Sequence, residues 1–395
     1  MKTSKSKSSI LSSFRLTRGT GSKSFSLQGL LFLILTLFIA LSAVNTQANL
    51  LFGVLGLMIG VLIVSFNISR LVFARLEVAR ILPEHGVVGR QLTLIYELSN
   101  KKKFWPSFSV TLAEEDSESS FVKKPLVYML HAAPKMKAVV ATEVIPRRRG
   151  LIELNHYSIS TSFPFGFIRR TSIRQQKDAL LIYPAIGQVD AKLLQRFKAA
   201  EKHGSMLRSE RGGDDEFYGV KEFRAGENPR WIYWKRSAHT GVLVSKEMTR
   251  VSPPRLYLLI DTFMAEDKPE IKSKIEQTIA MAASVASAAL EAGIMIGVHA
   301  SNGNAFVRLT PNRGKRHFRE VMTLLATLPE NRTLDSDQLL SNINEFATGG
   351  TTCVVFTPNE TESSKLPVRR SSLLTLSPDC ALAKATIAFG PGIRF

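Results

Sequence analysis

Charged and aromatic side chains that could carry out chemistry or bind a partner are concentrated in one stretch, Gly213–Glu247, which we call the signature segment. It combines carboxylates at Glu222 and Glu227 with guanidinium groups at Arg224 and Arg230. Its aromatic residues are Tyr218, Phe223, Trp231 and Trp234. Charged groups are costly to bury, and a guanidinium can stack on an indole or pair with a carboxylate. The composition therefore predicts a surface that contacts another molecule.

Two non-catalytic functions are compatible with the signature segment. In the first, the segment binds a protein partner, and Arg230 and Trp234 contribute most because Arg and Trp dominate interface energies. In the second, the segment is structural, and Phe223, Trp231 and Trp234 fill the boundary between two domains. Arg230 would then pair with Glu227 to hold the turn.

A hydrolase acting from a cleft of an α/β domain is the third alternative. The sequence lacks the Gly-x-Ser-x-Gly, His-Glu-x-x-His and P-loop patterns, and the glycine-rich Gly349–Thr352 has no phosphate-loop lysine. The two cysteines, Cys353 and Cys380, are not in a metal-type spacing. We therefore expect neither enzymatic activity nor a bound cofactor.

The net charge of +19 is distributed around a hydrophobic region. Six cations lie in an acid-free N-terminal tail: Lys2, Lys5, Lys7, Arg15, Arg18 and Lys23. We expect Arg70, Arg75 and Arg80 to flank the membrane after that region. Anionic lipid attracts such residues by about 1 kcal/mol each. The distribution favours a lipid bilayer over nucleic acid, and we expect no nucleic-acid partner.

The uncharged run Ser24–Ser69 predicts a membrane hairpin, since it is about twice the roughly 20 residues that one span needs. Polar residues at Asn45–Asn49 divide it into helices at about Leu27–Val44 and Leu50–Ile68. Lys and Arg lie at both outer ends, so we expect both ends to be cytoplasmic. A signal peptide ending near Ala48 is the alternative, but its apolar region would exceed the usual length of about 7–15 residues.

From Leu71 to Pro184 the hydrophobic pattern has a period of two residues, which indicates strands. The predicted strands are Leu92–Leu98 and Phe108–Leu112, before an acidic turn at Glu114–Glu118, and then Ala138–Ile145, Leu151–Ile159 and Leu180–Tyr183. The pattern predicts an antiparallel β-sandwich of about seven strands.

Beyond a helical linker at Ala191–Lys202 and the signature segment, strands alternate with helices. The predicted strands are Leu256–Ile260, Ile294–Val298 and Cys353–Phe356, and the predicted helices lie around Ile271–Ile279 and Arg316–Leu328. This alternation predicts a largely parallel, doubly wound sheet.

The α/β region resembles the von Willebrand factor A fold, in which a metal site begins Asp-x-Ser-x-Ser at the end of the first strand. The corresponding residues here begin at Asp261, but Phe263 and Ala265 cannot supply hydroxyl ligands. We therefore expect no bound metal, and we expect Asp261 to cap the following turn.

The signature segment itself resembles the bacterial "domain of unknown function 58" family. Its pattern is approximately Glu-Phe, then Arg-x-Tyr-x-x-Gly-Asp-Asp-x-Arg-x-Ile-x-Trp-Lys-x-Ser-Ala-Arg. Matching residues are Glu216, Phe217, Gly226, Pro229, Arg230, Ile232, Trp234, Lys235, Ser237 and Ala238. The departures are Lys221, Glu227-Asn228 and His239. The resemblance extends to the membrane hairpin, the β-rich region and the sequence Ser162–Gly166.

The resemblance implies a membrane-anchored adaptor or accessory protein, because similar proteins are often associated with MoxR-type AAA+ ATPases and sometimes with transglutaminase-like membrane proteins. The candidate residues for partner binding or for a domain interface are Glu216, Phe217, Glu222, Arg224, Gly226, Glu227, Pro229, Arg230, Trp234 and Lys235. The implied location is the bacterial inner membrane, with the main body in the cytoplasm.

The predicted protein is therefore a multi-domain membrane protein. Its predicted parts are a basic tail (1–25), a transmembrane helical hairpin (26–69), a β-sandwich-like domain (70–184), a linker with the signature segment (185–250) and a von Willebrand factor A-like α/β domain (251–395).

Overall fold

The computed structural model describes most of the chain. The described residues are 21–197, 211–224, 226–249, 255–264, 266–303, 305–333, 338–339, 351–358, 373–390 and 393. Residues 1–20, with most of the tail cations, lie outside them, as do Ala265, Gly349, Gly350 and residues 198–202 of the expected linker helix. Two compact units are present: the first comprises the described residues up to Gly86 with Arg90–Ile182, and the second Val87–Gly89 with the described residues from Tyr183 onwards.

The first unit begins with a strand followed by two long apolar helices: β1 (Gly21–Phe25), α1 (Leu27–Thr46) and α2 (Asn49–Phe73). Both helices are long and apolar enough to cross a membrane. The Ser26 hydroxyl caps α1 by accepting from the Gly29 amide, and Gln47 ends it in a left-handed conformation with φ 49°. The expected pair of apolar helices is confirmed, and α2 continues past Arg70.

The remaining strands of the first unit form two antiparallel sheets. They are β2 (Leu76–Ile81), β3 (Gly86–Val87), β4 (Leu92–Asn100), β5 (Ser107–Glu114), β6 (Leu126–Ala132), β7 (Lys137–Val144), β8 (Gly150–Thr161) and β9 (Ile168–Tyr183). One sheet has the order β2-β4-β7, and the other β1-β9-β8-β5-β6, with β3 also beside β9. The period-two pattern of β4 is confirmed, because Leu94, Tyr96 and Leu98 are buried.

Two expectations for charged residues of this unit are wrong. Arg80 was expected to flank the membrane and Glu114 to begin the acidic turn, but both side chains are fully buried and Glu114 is the last residue of β5. Arg80 donates to both Glu114 oxygens at 2.8 Å and to Asp178 at 2.9 Å, and Tyr96 donates to Glu114 at 2.9 Å. Burial opposes the charge, yet these carboxylates raise the pKa of Arg80. The ion pair joins the two sheets, since Arg80 belongs to β2 and Glu114 to β5.

The second unit contains these elements: β10 (Gln188–Val189), β11 (Arg211–Glu222), a 3-10 turn (Pro229–Trp231), α3 (Trp234–Thr240), β12 (Val244–Thr249), β13 (Arg255–Ile260), α4 (Pro269–Glu291), β14 (Met295–Ser301), β15 (Phe306–Asn312), α5 (Lys315–Thr327), β16 (Thr351–Phe356), β17 (Leu373–Leu376), α6 (Ala381–Thr386) and β18 (Ile387–Ala388). Residues 191–197 are helical, as expected of the linker.

The main sheet of this unit has the order β15-β14-β13-β16-β17. Strands β14, β13, β16 and β17 are parallel, and β15 is an antiparallel edge. One cluster of buried residues on this sheet comprises Tyr257, Leu259, Leu339, Cys353 and Val355. The expected parallel strands and both helices are confirmed, and the edge strand β15 was not expected.

Asp261 directly follows β13 and is buried. Its Oδ1 accepts from the Phe263 amide at 2.9 Å, and its Oδ2 accepts from the Thr357 hydroxyl at 3.3 Å. The expected capping of the turn is therefore confirmed. Among the described residues, no group of three or more His, Cys, Asp or Glu side chains is placed to hold a metal ion.

Candidate functional site

The signature segment folds around a two-stranded antiparallel sheet formed by β11 and β12. In its register Lys221 faces Ser245 and Glu222 faces Val244. The chain then returns along the other side of β12, where Ile232 pairs with Ser245 and the Tyr233 amide donates to the Val244 carbonyl at 2.7 Å. Strand β12 therefore fixes the position of α3, which begins directly after Tyr233.

The turn between β11 and the 3-10 turn is set by three residue types. Gly226 has φ 103°, a conformation that side chains other than glycine rarely adopt. Asn228 caps the 3-10 turn by accepting from the Arg230 amide at 3.0 Å, and Pro229 occupies the first position, where no amide hydrogen is needed. The expected turn is confirmed.

Glu227 braces this turn against the sheet. It accepts from Lys221 Nζ at 2.7 Å and from the Ser245 hydroxyl at 3.1 Å. The hydrogen bond from Lys221 holds the pKa of Glu227 below its usual range. The expected pair of Glu227 with Arg230 is wrong, because the strand register brings Lys221 to the carboxylate.

The inner side of α3 is held by Ser237, which is buried. Its hydroxyl oxygen accepts from the Val244 amide at 2.9 Å and donates to the Tyr233 carbonyl at 3.1 Å. Ile232 and Ser245 are also buried, and Gly241 ends the helix with φ 69°. The shape of this small fold therefore depends on small and apolar residues, such as Ser237 and Ile232, that contact β12.

Several described side chains of the segment face solvent, whereas Phe223 and Trp231 are half-buried. Trp234 is 66% exposed, and Val242 and Leu243 are 51% and 46% exposed. The exposed residues that we call the signature surface are Arg224, Arg230, Trp234, Lys235, Arg236, Val242 and Leu243. The cations of this set can donate hydrogen bonds to carboxylates, and its apolar residues can cover an apolar side chain. Both are contacts typical of a binding surface.

The predicted candidate residues therefore separate into three groups. Gly226, Pro229 and Glu227 shape the turn. Those that lie exposed are Glu222, Arg224, Arg230, Trp234 and Lys235. Glu216 and Phe217 lie in β11, and their side chains are outside the described set. The structural hypothesis required a buried Trp234 and an Arg230–Glu227 pair, and neither is observed.

Sequence reasoning missed the residues that build the site from within. Lys221 and Ser245 hold Glu227, and Ser237 holds β12. Ser237 matched the family pattern and Lys221 departed from it, but no pattern indicated which carboxylate or amide each would bind. Arg236, Val242 and Leu243 were missed because their exposure depends on where α3 ends.

Fold and site together define a class: a protein with two candidate membrane-spanning helices, antiparallel sheets, and a mixed α/β sheet preceded by an exposed basic and aromatic segment. Residues 219–358 match the family described as "Protein of unknown function DUF58". This match confirms the resemblance carried by the signature segment, and it extends through β16.

A relative in Bacillus subtilis (strain 168) is described as "Uncharacterized protein YeaD". It is 22% identical over 192 residues, which cover 49% of this chain and 46% of the relative. The alignment thus spans about half the length of that protein. Neither description states a reaction or a partner.

Proposed function

We propose that this protein is a membrane-anchored adaptor of the bacterial inner membrane whose main body faces the cytoplasm and whose signature surface binds a protein partner. The exposure of Trp234, with that of Arg230, carries the proposal. A large aromatic side chain left in solvent beside several cations is characteristic of a binding surface. The partner that the family resemblance suggests is a MoxR-type AAA+ ATPase.

The charge of the signature surface indicates the chemistry of the partner's contact region. Arg224, Arg230, Lys235 and Arg236 are exposed, and Glu222 is the exposed acid nearest to them in sequence. Glu227 is already engaged by Lys221. A complementary contact would therefore present carboxylates around an apolar pocket that receives Trp234.

The membrane topology is supported by the two apolar helices and their basic flanks. Helix α1 begins and α2 ends on elements of the same compact unit, so a membrane-crossing hairpin would return to its starting side. Arg70 and Arg75 are exposed at the end of α2. Under the positive-inside rule, these cations favour a cytoplasmic body.

The fold types expected for the two units are part of the same proposal. Two contacting antiparallel sheets support a β-sandwich for the first unit. A parallel sheet with β13 at its centre supports a von Willebrand factor A-like domain for the second. We infer that these two domains space and orient the signature surface, a role that suits an adaptor.

The test is recovery of the purified MoxR-type ATPase of the same organism by the detergent-solubilised full chain. Arg230→Ala and Trp234→Ala should each weaken retention by at least about tenfold, because interface Arg and Trp residues commonly contribute about 2 kcal/mol or more. Arg316→Ala is the matched control, since that guanidinium is also exposed but belongs to α5.

Unchanged retention by correctly folded Arg230→Ala and Trp234→Ala proteins would contradict the proposal. Crosslinking in native membranes, followed by identification of the attached proteins, tests the choice of partner separately. Capture of a different protein through the same two residues would keep the adaptor function and replace the ATPase.

A further inference from the structure

Helix α1 starts on the loop between β8 and β9. The Ser26 amide donates to the Phe167 carbonyl at 2.9 Å, and the Ser26 hydroxyl donates to the Gly166 carbonyl at 2.5 Å. Six residues further along, the rings of Phe32 and Phe167 stack at 4.4 Å. A Cβ atom on Gly29 would lie 2.1 Å from the Phe167 carbonyl oxygen, so only glycine permits this close approach. The loop therefore fixes the first turn of the helix.

Helix α2 ends on the loop between β4 and β5. Lys102 is buried, and its ammonium donates to the carbonyls of Leu71 at 2.8 Å and Val72 at 3.1 Å. The Ser107 hydroxyl donates to Val72 at 2.9 Å. These donors satisfy carbonyls that a helix end leaves without an intrahelical partner. Both outer ends of the hairpin are thus bound by loops of the same unit.

These loops lie together at one end of the two sheets. The Asn100 side chain donates to the Trp105 carbonyl at 3.1 Å, and its backbone amide donates to the Met136 carbonyl at 3.1 Å. The β4–β5 loop is thereby joined to the β6–β7 loop. The rings of Phe108 and Phe163 stack at 5.0 Å, which connects β5 to the β8–β9 loop.

The same loops expose large apolar side chains. Phe104 is 83% exposed, Met136 63%, Trp105 59% and Phe165 48%. Exposed lysines lie beside them at Lys103 and Lys135. We call this set the loop surface: Lys103, Phe104, Trp105, Lys135, Met136 and Phe165. Exposed apolar groups that cluster on a protein mark a contact site.

We propose that the loop surface enters the headgroup layer of the bilayer that the hairpin crosses, and that its lysines bind anionic lipid. This inference rests on the membrane anchoring stated in the proposed function. Arg70 is the first charged residue after the apolar run, so the end of α2 and the Lys102 contact lie at headgroup depth. Trp and Phe are favoured at that depth, and lysines there attract anionic lipid.

We name lipid as the occupant because the loop surface is directly connected to both outer ends of the hairpin. Trp105 is three residues from Lys102, which binds the helix end, and Phe165 is two residues from Phe167, which stacks on α1. Any partner covering these side chains would occupy the plane that lipid headgroups fill. The β-sheets of the first unit would therefore contact the membrane through three loops, in addition to the two helices that cross it.

The test uses tryptophan emission of the full chain in phosphatidylcholine nanodiscs with bromine atoms near the top of the acyl chains. Bromine quenches a tryptophan that it contacts, and the chain has three tryptophans, none in the hairpin. The quenched component should disappear in Trp105→Phe and persist in Trp234→Phe. The two indoles are matched, since 59% and 66% of their residue surface is exposed.

An unchanged quenched component in Trp105→Phe, or no quenching of the wild-type protein, would overturn the proposal. Alkaline carbonate extraction of native membranes separates this failure from failure of the anchoring. Release of the chain by carbonate would defeat the anchoring and the loop surface together. A retained chain with an unaffected Trp105 would defeat the loop surface alone.

The role of the lysines is tested by replacing part of the phosphatidylcholine with phosphatidylglycerol. Quenching of Trp105 should increase with the anionic lipid, and Lys103→Gln with Lys135→Gln should abolish that increase. Lys315→Gln with Lys384→Gln is the control pair, since these exposed lysines lie in the second unit. An increase that persists without Lys103 and Lys135 would overturn the anionic-lipid part of the proposal.

Discussion

Ser237 and Glu227 determine where the exposed residues of the signature surface lie. Ser237 ties α3 to β12 through the Val244 amide, and Glu227 ties the preceding turn to β11 and β12 through Lys221 and Ser245. Neither side chain is as exposed as that of Trp234. Both residues fix the backbone of α3 and the preceding turn, which carries exposed residues of the signature surface.

Ser237→Ala should destabilise this segment by about 1–3 kcal/mol, because the buried Val244 amide would lose its acceptor. Hydrogen exchange of that amide should accelerate accordingly. Thr240→Ala is the matched control within α3: its hydroxyl also bonds a carbonyl four residues earlier, but it is exposed. Equal exchange rates at Val244 in both variants would contradict the role of Ser237.

For single residues, the sequence was sufficient to predict local structure where the residue type has a strong backbone preference. Gly226 and Pro229 form the expected turn, since their backbone preferences act without distant neighbours. The partner of Glu227 could not be predicted in the same way. Two cations, Lys221 and Arg230, were available, and the choice between them depends on the β11–β12 register.

Among the secondary-structure elements, the junction between α2 and the β4–β5 loop contains a buried cation. Lys102 donates to two carbonyls at the end of the helix and to the Ser107 hydroxyl at 2.7 Å. Neighbouring Lys101 and Lys103 are exposed. Nothing in the sequence distinguishes these three consecutive lysines, yet one of them has a structural role.

Lys102→Met should loosen this junction by about 1–3 kcal/mol, since the Leu71 and Val72 carbonyls would each lose a hydrogen bond from the ammonium group. Faster exchange of the amides around the end of α2 would show it, with the protein in detergent or nanodiscs. Lys103→Met, one residue further on, should leave those amides unchanged. A Lys102→Met protein that exchanges like Lys103→Met would disprove the capping role.

Elements with a clear hydrophobic period were predictable, and those without one were missed. The uncharged run defined α1 and α2, and alternation defined β4 and β5. Strand β6 was missed because its outward residues Leu126, Tyr128 and Leu130 are also apolar, which removes the alternation. Strand β1 was assigned to the tail. Its five residues form a strand because they pair with β9, and this pairing cannot be read from the local sequence.

At the scale of the whole molecule, each compact unit has its own core. The first is organised around the buried Arg80–Glu114 pair, and the second around the sheet centred on β13. The division into β-rich and α/β regions was visible in the sequence as a change of period. The buried pair was not, because an arginine and a glutamate distant in sequence become neighbours only when two sheets meet.

Glu114→Gln should destabilise the first unit by about 3–5 kcal/mol, because it leaves Arg80 buried without full compensation. Hydrogen exchange measured by mass spectrometry should show the loss in peptides of that unit, with the second unit retaining its protection. Glu115→Gln is the neighbouring control, as that side chain is partly exposed. Equal effects of the two substitutions would refute a special role for the pair.

The pairing of β1 with β9 changes how the two long apolar helices relate to the rest of the chain. Because β1 precedes α1 and β2 follows α2, the hairpin is an insertion between two strands of one folded unit. Deleting everything before β2 would strip β9 of a neighbour along Ile168–Ser172 as well as removing the helices. A water-soluble version is better made by joining β1 to β2 through a short flexible connection in place of the hairpin.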